Sequence, residues 1–198
     1  LIHNDETDSM AAACPKIYEG VIADLLTTGT GVRWKRREVL SSGAAVKSGD
    51  VWADMELKLK DRVDGKVPSF ENMKAGLLYV PLKPNFPFAD MMYKTENGKE
   101  LVMIQVTRQQ APLRMVSAST LIKCLAAVGL SGADVGKVRL VFIPLPSRAA
   151  TAKLRPTKPT KAQSLEEGGG ARAALSRVLE KYEVWALPEK YTRGFYDI

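Results

Sequence analysis

Asn85-Phe86-Pro87-Phe88-Ala89-Asp90 and Leu101-Val102-Met103-Ile104-Gln105-Val106-Thr107 are the two stretches whose pairing decides the fold. The first is an apolar approach that ends on a lone carboxylate. A polar turn, Glu96-Asn97-Gly98-Lys99-Glu100, precedes the second, an apolar run carrying Gln105 and Thr107 two residues apart. Side chains at i and i+2 of a strand share a face, so these two point the same way. Pairing as a hairpin across Asn97-Gly98 puts Asp90 on that side as well. Polar groups inside an otherwise apolar sheet are costly unless they are bonded or used.

Upstream, Ile17, Val21, Ile22, Leu25 and Leu26 recur at helical spacing after Pro15, a favoured first helical residue, and Thr27-Thr28-Gly29-Thr30-Gly31 ends that helix. Its Glu19 is either a solvated acid or, if it faces the sheet, available to a site. Arg33-Trp34-Lys35-Arg36-Arg37 is the densest basic cluster. It reads as a phosphate-contacting segment, with Trp34 stacked on a base or supporting the loop, or as an edge strand protected by charge. Val51 to Val63 alternates as one strand would, and Asp64-Gly65 fits a hairpin tip in the turn-rich 61–69 segment. Leu77-Leu78-Tyr79-Val80 is a short strand stopped by Pro81.

Downstream, Met115 to Val128 reads as a helix with Ser117 or Ser119 as its cap and Gly129 at its end. Val138-Arg139-Leu140-Val141-Phe142-Ile143-Pro144 is apolar enough for a central strand covered on both faces. Residues 147–163 hold Arg148, Lys153, Arg155, Lys158 and Lys161 with no acid, and read as a basic loop, solvated or in contact with phosphate. Gly168-Gly169-Gly170 reads as a hinge before a second amphipathic helix, Ala171 to Tyr182, and a last strand, Glu183 to Leu187. The order predicts an α/β protein of three layers with a mixed sheet. Residues 1–14 are expected to be a flexible lead-in, and 15–198 one domain with its basic loop at about 147–164.

A chain of 198 residues with 45% apolar content can bury the core of one domain. A formal charge of +7 suits a polyanionic partner. Cys14 and Cys124 are too few for a disulfide framework and read as reduced structural thiols, as in an intracellular protein. No apolar run is long enough for a membrane span and no signal peptide is visible. His3, the only histidine, lies in the polar opening, so histidine triads, histidine zinc sites and imidazole relays are set aside. The chain opens on Leu1 rather than Met, which suits an excised domain or a processed fragment.

A helix, a three-strand meander, a helix and a strand, with an acid on the second core strand and a spaced polar pair on the third, resemble the PD-(D/E)XK nuclease fold. In that family the second strand supplies a metal-binding carboxylate, and the third an acid and a lysine at i and i+2. Magnesium takes hard oxygen ligands near a phosphate and acidifies the attacking water, while the lysine offsets developing charge. Pro87-Phe88-Ala89-Asp90 resembles the first half, and Gln105-Val106-Thr107 stands where (D/E)-X-K would be, with Thr107 in the lysine's place. Across about residues 15–145 the chain is more closely similar to the nuclease-like C-terminal domain of crinkler effectors and retrotransposon hot spot proteins. A Phe-Pro-x-x-Asp approach, a Gln-x-Thr strand, a helix and an apolar strand ending in Pro144 carry that likeness.

The resemblance implies a three-layer α/β/α restriction-endonuclease-like domain of a nuclear protein with an upstream NTPase module. It implies nucleic acid as partner, DNA before RNA, and room for protein partners. Glu19, Asp90, Gln105 and Thr107 would line the site, with Asp90, Gln105 and Glu19 holding a weakly bound Mg2+. Nucleic-acid contacts would come from Arg33, Trp34, Lys35, Arg36 and Arg37 and from Arg148, Lys153, Arg155, Lys158 and Lys161. The alternative is a catalytically inactive docking module of the same fold. On residue chemistry alone, Asp90 is equally a strand-end acid that satisfies turn amides, and Gln105 and Thr107 a buried hydrogen-bonded pair.

Overall fold

The computed structural model describes residues 4–28, 32–40, 52–82, 86–107, 113–144, 149, 153–156 and 169–187. The elements are α1 (Asn4–Thr27), β1 (Arg33–Leu40), β2 (Ala53–Glu56), β3 (Asp61–Gly65), β4 (Leu77–Pro81), β5 (Met91–Lys94), β6 (Leu101–Val106) and β7 (Leu113–Val116). They continue with α2 (Ala118–Ala127), a 3-10 segment Gly132–Lys137, β8 (Val138–Ile143), β9 (Lys153–Pro156), α3 (Gly169–Glu180) and β10 (Lys181–Ala186). The protein is α/β, with one mixed sheet of eight strands in the order β2-β1-β10-β8-β6-β5-β4-β3. β6, β8 and β10 run parallel to one another, and β5 lies antiparallel between β4 and β6. β7 and β9 form a separate parallel pair.

Chain length dictates the shape of this sheet. β2 and β3 are its two edges, yet only Leu57–Lys60 lie between them in sequence. At about 4.8 Å per gap, the edges of a flat sheet of eight strands would stand about 34 Å apart. The span from Glu56 to Asp61 reaches at most about 18 Å. The sheet therefore curls until its edges approach each other, and α1 fills the concave side. Tyr18, Ile22, Ala23 and Leu26 of α1 pack there with Trp34, Met91, Ile104, Val141 and Trp185. On the convex side Leu121, Cys124 and Leu125 of α2 and Leu175, Val178 and Leu179 of α3 cover Met92, Met103, Leu140, Phe142 and Val184. β6 lies between the two clusters and all its residues are buried.

The hairpin across Asn97-Gly98 forms as its sequence predicts. Thr95 N–H donates to the Glu100 carbonyl at 3.0 Å, and Gly98 takes a positive φ of 69°, which favours glycine. Gly129 ends α2 with φ 72°. β8 is the central strand its apolar run predicts, held between β6 and β10.

Several boundaries differ. Val51 to Val63 is not one strand: β2 and β3 occupy opposite edges, and between them Leu59 turns into the concave core while Lys60 N–H bonds the Gly76 carbonyl at 2.8 Å. Asp64-Gly65 is not a hairpin tip, because β3 pairs in parallel with β4, Asp64 opposite Val80. Leu113–Val116 is strand β7, so the helix expected from Met115 starts at Ala118, where N-cap Ser117 makes no side-chain capping bond. Part of the expected basic loop is strand β9. Pro15 lies inside α1, whose helical φ its ring permits at the loss of one N–H donor, and the expected lead-in contributes the first turns from Asn4. Gly169 and Gly170 open α3 rather than standing before it as a hinge.

Cys124 packs between α2 and β6, its thiol 3.9 Å from the Met103 sulfur, and burial pushes its pKa up to about 12. In native protein near pH 8, iodoacetamide should leave the Cys124 peptide unmodified by mass spectrometry, and unfolding in urea should expose it to full labelling. Native-state labelling at the rate of a free thiol would mean that α2 does not hold this face of β6 closed.

Candidate functional site

The site is built where β5 begins and β6 ends. Ala89 N–H donates to the Pro87 carbonyl at 3.0 Å, closing a γ-turn on Phe88, whose φ is 73°. Positive φ in a bulky residue is a strained conformation, and the buried Phe88 ring in the convex core holds it there. This turn diverts the chain from the ladder just before Asp90. Asp90 N–H donates to the Ile104 carbonyl at 2.9 Å. Because the backbone beyond it has turned away, the Asp90 carboxylate supplies the next acceptor: Val106 N–H donates to Oδ2 at 2.7 Å. Met91 opposes Ile104 in the ladder, so Asp90 faces Gln105 across the strand pair.

Gln105 is 7% exposed, and its Oε1 accepts no hydrogen bond among the described residues. Leaving a buried acceptor unmet costs about 1–3 kcal/mol. By alternation Gln105 shares the convex side of β6 with Met103. Thr107, also buried, continues the β6–β8 ladder by donating its N–H to the Ile143 carbonyl at 3.0 Å. Asp90, Gln105 and Thr107 thus gather at the carboxyl end of β6.

Glu19 lies on α1, the helix that packs on the other face of the sheet. The Tyr18 hydroxyl donates to the Pro144 carbonyl at 3.3 Å, fixing α1 beside the end of β8 on the concave side. There the Glu19 carboxylate is paired with Lys16 at 2.7 Å. Among the described residues no group of three or more His, Cys, Asp or Glu side chains is placed to hold a metal ion.

The basic cluster is architecture as much as surface. β1 lies between β2 and β10, neither a loop nor an edge strand. Trp34 is completely buried against Trp185, ring centroids 6.2 Å apart and tilted by 54°, so it presents no face for a base to stack on. Arg37 is buried too, donating from Nη2 to the Ala149 carbonyl at 3.1 Å with its guanidinium 5.3 Å from the Trp52 ring centroid. Arg36 stands 3.8 Å from Glu183. Lys35 pairs with Asp54 at 2.6 Å and, by donating to it, holds the Asp54 carboxyl below its usual range. Arg33 and Lys35 remain exposed. Arg148, Lys158 and Lys161, and the side chains of Lys153 and Arg155 on β9, lie outside the described residues.

A second polar constellation, not among the residues expected from sequence, stands at the opposite end of the sheet, where Arg36 and Arg139 flank Glu183. Its signal was Glu183-Val184-Trp185, a carboxylate sharing a strand face with a large aromatic on an otherwise apolar run.

No protein-family model, no curated protein and no solved structure matches this chain.

The two central polar residues make opposite predictions in urea denaturation. Asp90→Ala strands the buried Val106 amide and should lower stability by about 1–3 kcal/mol. Gln105→Leu removes an unmet polar group and should leave stability within about 0.5 kcal/mol of the parent or raise it. An equal, large loss from both would show that the Gln105 amide is bonded in the folded protein.

Proposed function

We propose that this chain is a nucleic-acid-binding, restriction-endonuclease-like domain of the crinkler and retrotransposon hot spot group, receiving a phosphate at the carboxyl end of β6. The observation that carries the proposal is the buried, unmet Gln105 carbonyl opposite Asp90. Supporting it are the β4-β5-β6 meander followed by α2 and parallel β8, with α1 on one face and α2 and α3 on the other. A three-layer α/β/α reading rests on that arrangement. The nuclear location and the upstream NTPase module belong to the same proposal and rest on the motif likeness.

The donor set is compatible with magnesium in a limited way. Asp90 and Gln105 offer hard oxygens, but one Asp90 oxygen already accepts from Val106 and Glu19 is held by Lys16. Magnesium characteristically keeps several waters and completes its shell with one or two carboxylates and substrate phosphates. Asp90 and Gln105 would hold such an ion, which would polarise the phosphate and acidify a bound water. The chain's own residues do the positioning. Asp90 fixes the end of the β5–β6 ladder, and the Gln105 carbonyl oxygen lies opposite it without a competing bond. A carboxylate and a phosphate repel each other unless a cation stands between them, so hydrolysis at this end should depend on the divalent ion.

A second reading, nucleic-acid or protein docking without hydrolysis, is favoured by two observations. No three-ligand group stands among the described residues, and Thr107 lacks the charge of the family's lysine.

A plasmid-nicking assay with Mg2+ and Mn2+ separates the two. Hydrolysis predicts nicking that Asp90→Ala abolishes, whereas equal traces from both proteins leave docking alone. Binding itself is read from salt dependence. Contact with about four duplex phosphates predicts a log–log slope of about −3.6, and a flat response would sink the nucleic-acid reading altogether.

A further inference from the structure

The amino ends of the parallel strands carry charges on the concave face. By alternation Arg36 shares a face with Trp34 on β1, Glu183 with Trp185 on β10, and Arg139 with Val141 on β8. Glu100, just before β6, and Arg177, from the last turn of α3 on the other side of the sheet, join them in lining a cavity of about 590 Å³. That volume lies within the range of small-molecule sites.

At its floor is the Glu183 carboxylate, its side chain only 5% exposed. Oε2 accepts from the Trp185 indole N–H at 2.7 Å. Oε1 lies 3.8 Å from Arg36 Nη1 and 3.6 Å from Arg139 Nη1, too far for a hydrogen bond to either. The donors around it are largely unused. The Arg36 and Arg177 guanidiniums donate to no acceptor among the described residues, and that of Arg139 donates only to Glu100. Each guanidinium carries five N–H donors. The arrangement is therefore one open acceptor between guanidiniums with N–H groups to spare. Both flanking arginines are about a third exposed, so a ligand can reach them.

We infer that this cavity binds a protonated tetrahedral oxyanion, hydrogen phosphate or the terminal phosphate of a monoester. The arginine N–H groups donate to its unprotonated oxygens, and its P–OH donates to Glu183 Oε1. Cations and carboxylates lining the cavity are equal in number, so selectivity comes from this donor and acceptor pattern rather than from net charge. Sulfate, which has no proton to give near neutral pH, leaves Glu183 facing a bare oxygen. A phosphodiester fails for the same reason, which separates this site from the backbone contacts proposed at the other end of the sheet.

Isothermal titration of the whole chain with sodium phosphate, methyl phosphate and sodium sulfate at matched ionic strength tests this. Phosphate should bind at least about tenfold more tightly than sulfate, because a site built around a ligand O–H rejects the analogue lacking it. Methyl phosphate matching phosphate marks a monoester terminus as the natural ligand, and methyl phosphate binding far less tightly marks free phosphate. Arg36→Met, at a partly exposed position where the fold should tolerate it, should weaken phosphate about tenfold or more. Glu183→Gln should bring the phosphate-to-sulfate ratio toward one, and circular dichroism reports whether that buried variant has folded. Equal affinity of the parent for phosphate and sulfate, no binding of either, or an Arg36→Met protein that binds phosphate as the parent does would overturn the inference.

Discussion

β6 is buried on both faces, and that constraint organises the molecule. A strand covered by α1 on one side and by α2 and α3 on the other must be apolar along its length, as Leu101 to Ile104 are. Its backbone amides must also be matched to the last residue, since no water stands by to receive them. β5 and β8 match most of them. At the carboxyl end β5 has already turned away through the γ-turn on Phe88, and Asp90 closes the ladder with its side chain. The same burial makes Gln105 conspicuous. Every neighbour in β6 is apolar, and its carbonyl oxygen is sealed in without a hydrogen bond, as are Trp34 Nε1 and Arg37 Nε among the described residues.

The curl of the sheet follows from chain length and has consequences at both ends. Because Leu57–Lys60 must bridge the two edges, the concave face closes around α1 and buries Tyr18, Trp34 and Trp185 almost completely. α1 is anchored by Tyr18 near the carboxyl end of β8, and the Arg62–Asp24 pair at 2.9 Å ties its last turns to β3. Away from that path, at the amino ends of β8 and β10, the concave face is charged. Burial there is possible because Glu183 has Trp185 on one oxygen and guanidiniums near the other.

What the sequence made legible was whatever local pattern alone decides. β6 and β8 are apolar runs broken only by Gln105 and Arg139, Asn97-Gly98 is a turn for a chemical reason, and Gly129 stops a helix by accepting positive φ. The hairpin that brings Asp90 opposite Gln105 followed from these. What stayed hidden depends on which strand pairs with which. Alternation through Val51 to Val63 is genuine, but it cannot say that the chain leaves one sheet edge and rejoins the other. The basic cluster shows the same limit. Arg33, Trp34 and Lys35 alternate, and the pattern alone did not reveal that Trp34 meets Trp185 in the core or that Arg37 goes inward to Ala149. Glu19 could be assigned to its helix but not to a sheet face. It lies on α1, the helix of the concave side, while alternation along β6 puts Gln105 on the convex side with Met103.

On the proposed function, the Gln105 carbonyl oxygen, unmet in the fold, is met by a ligand beside Asp90. The most direct measurement is the ¹⁵N spectrum of the side-chain amides, with Gln105 assigned through Gln105→Leu, as Mg2+ and a short DNA duplex are added together. The account predicts that the Gln105 side-chain resonances shift in the parent and stay in place in Asp90→Asn. Unmoved Gln105 resonances in the parent, while backbone shifts elsewhere report that the duplex is bound, would contradict it.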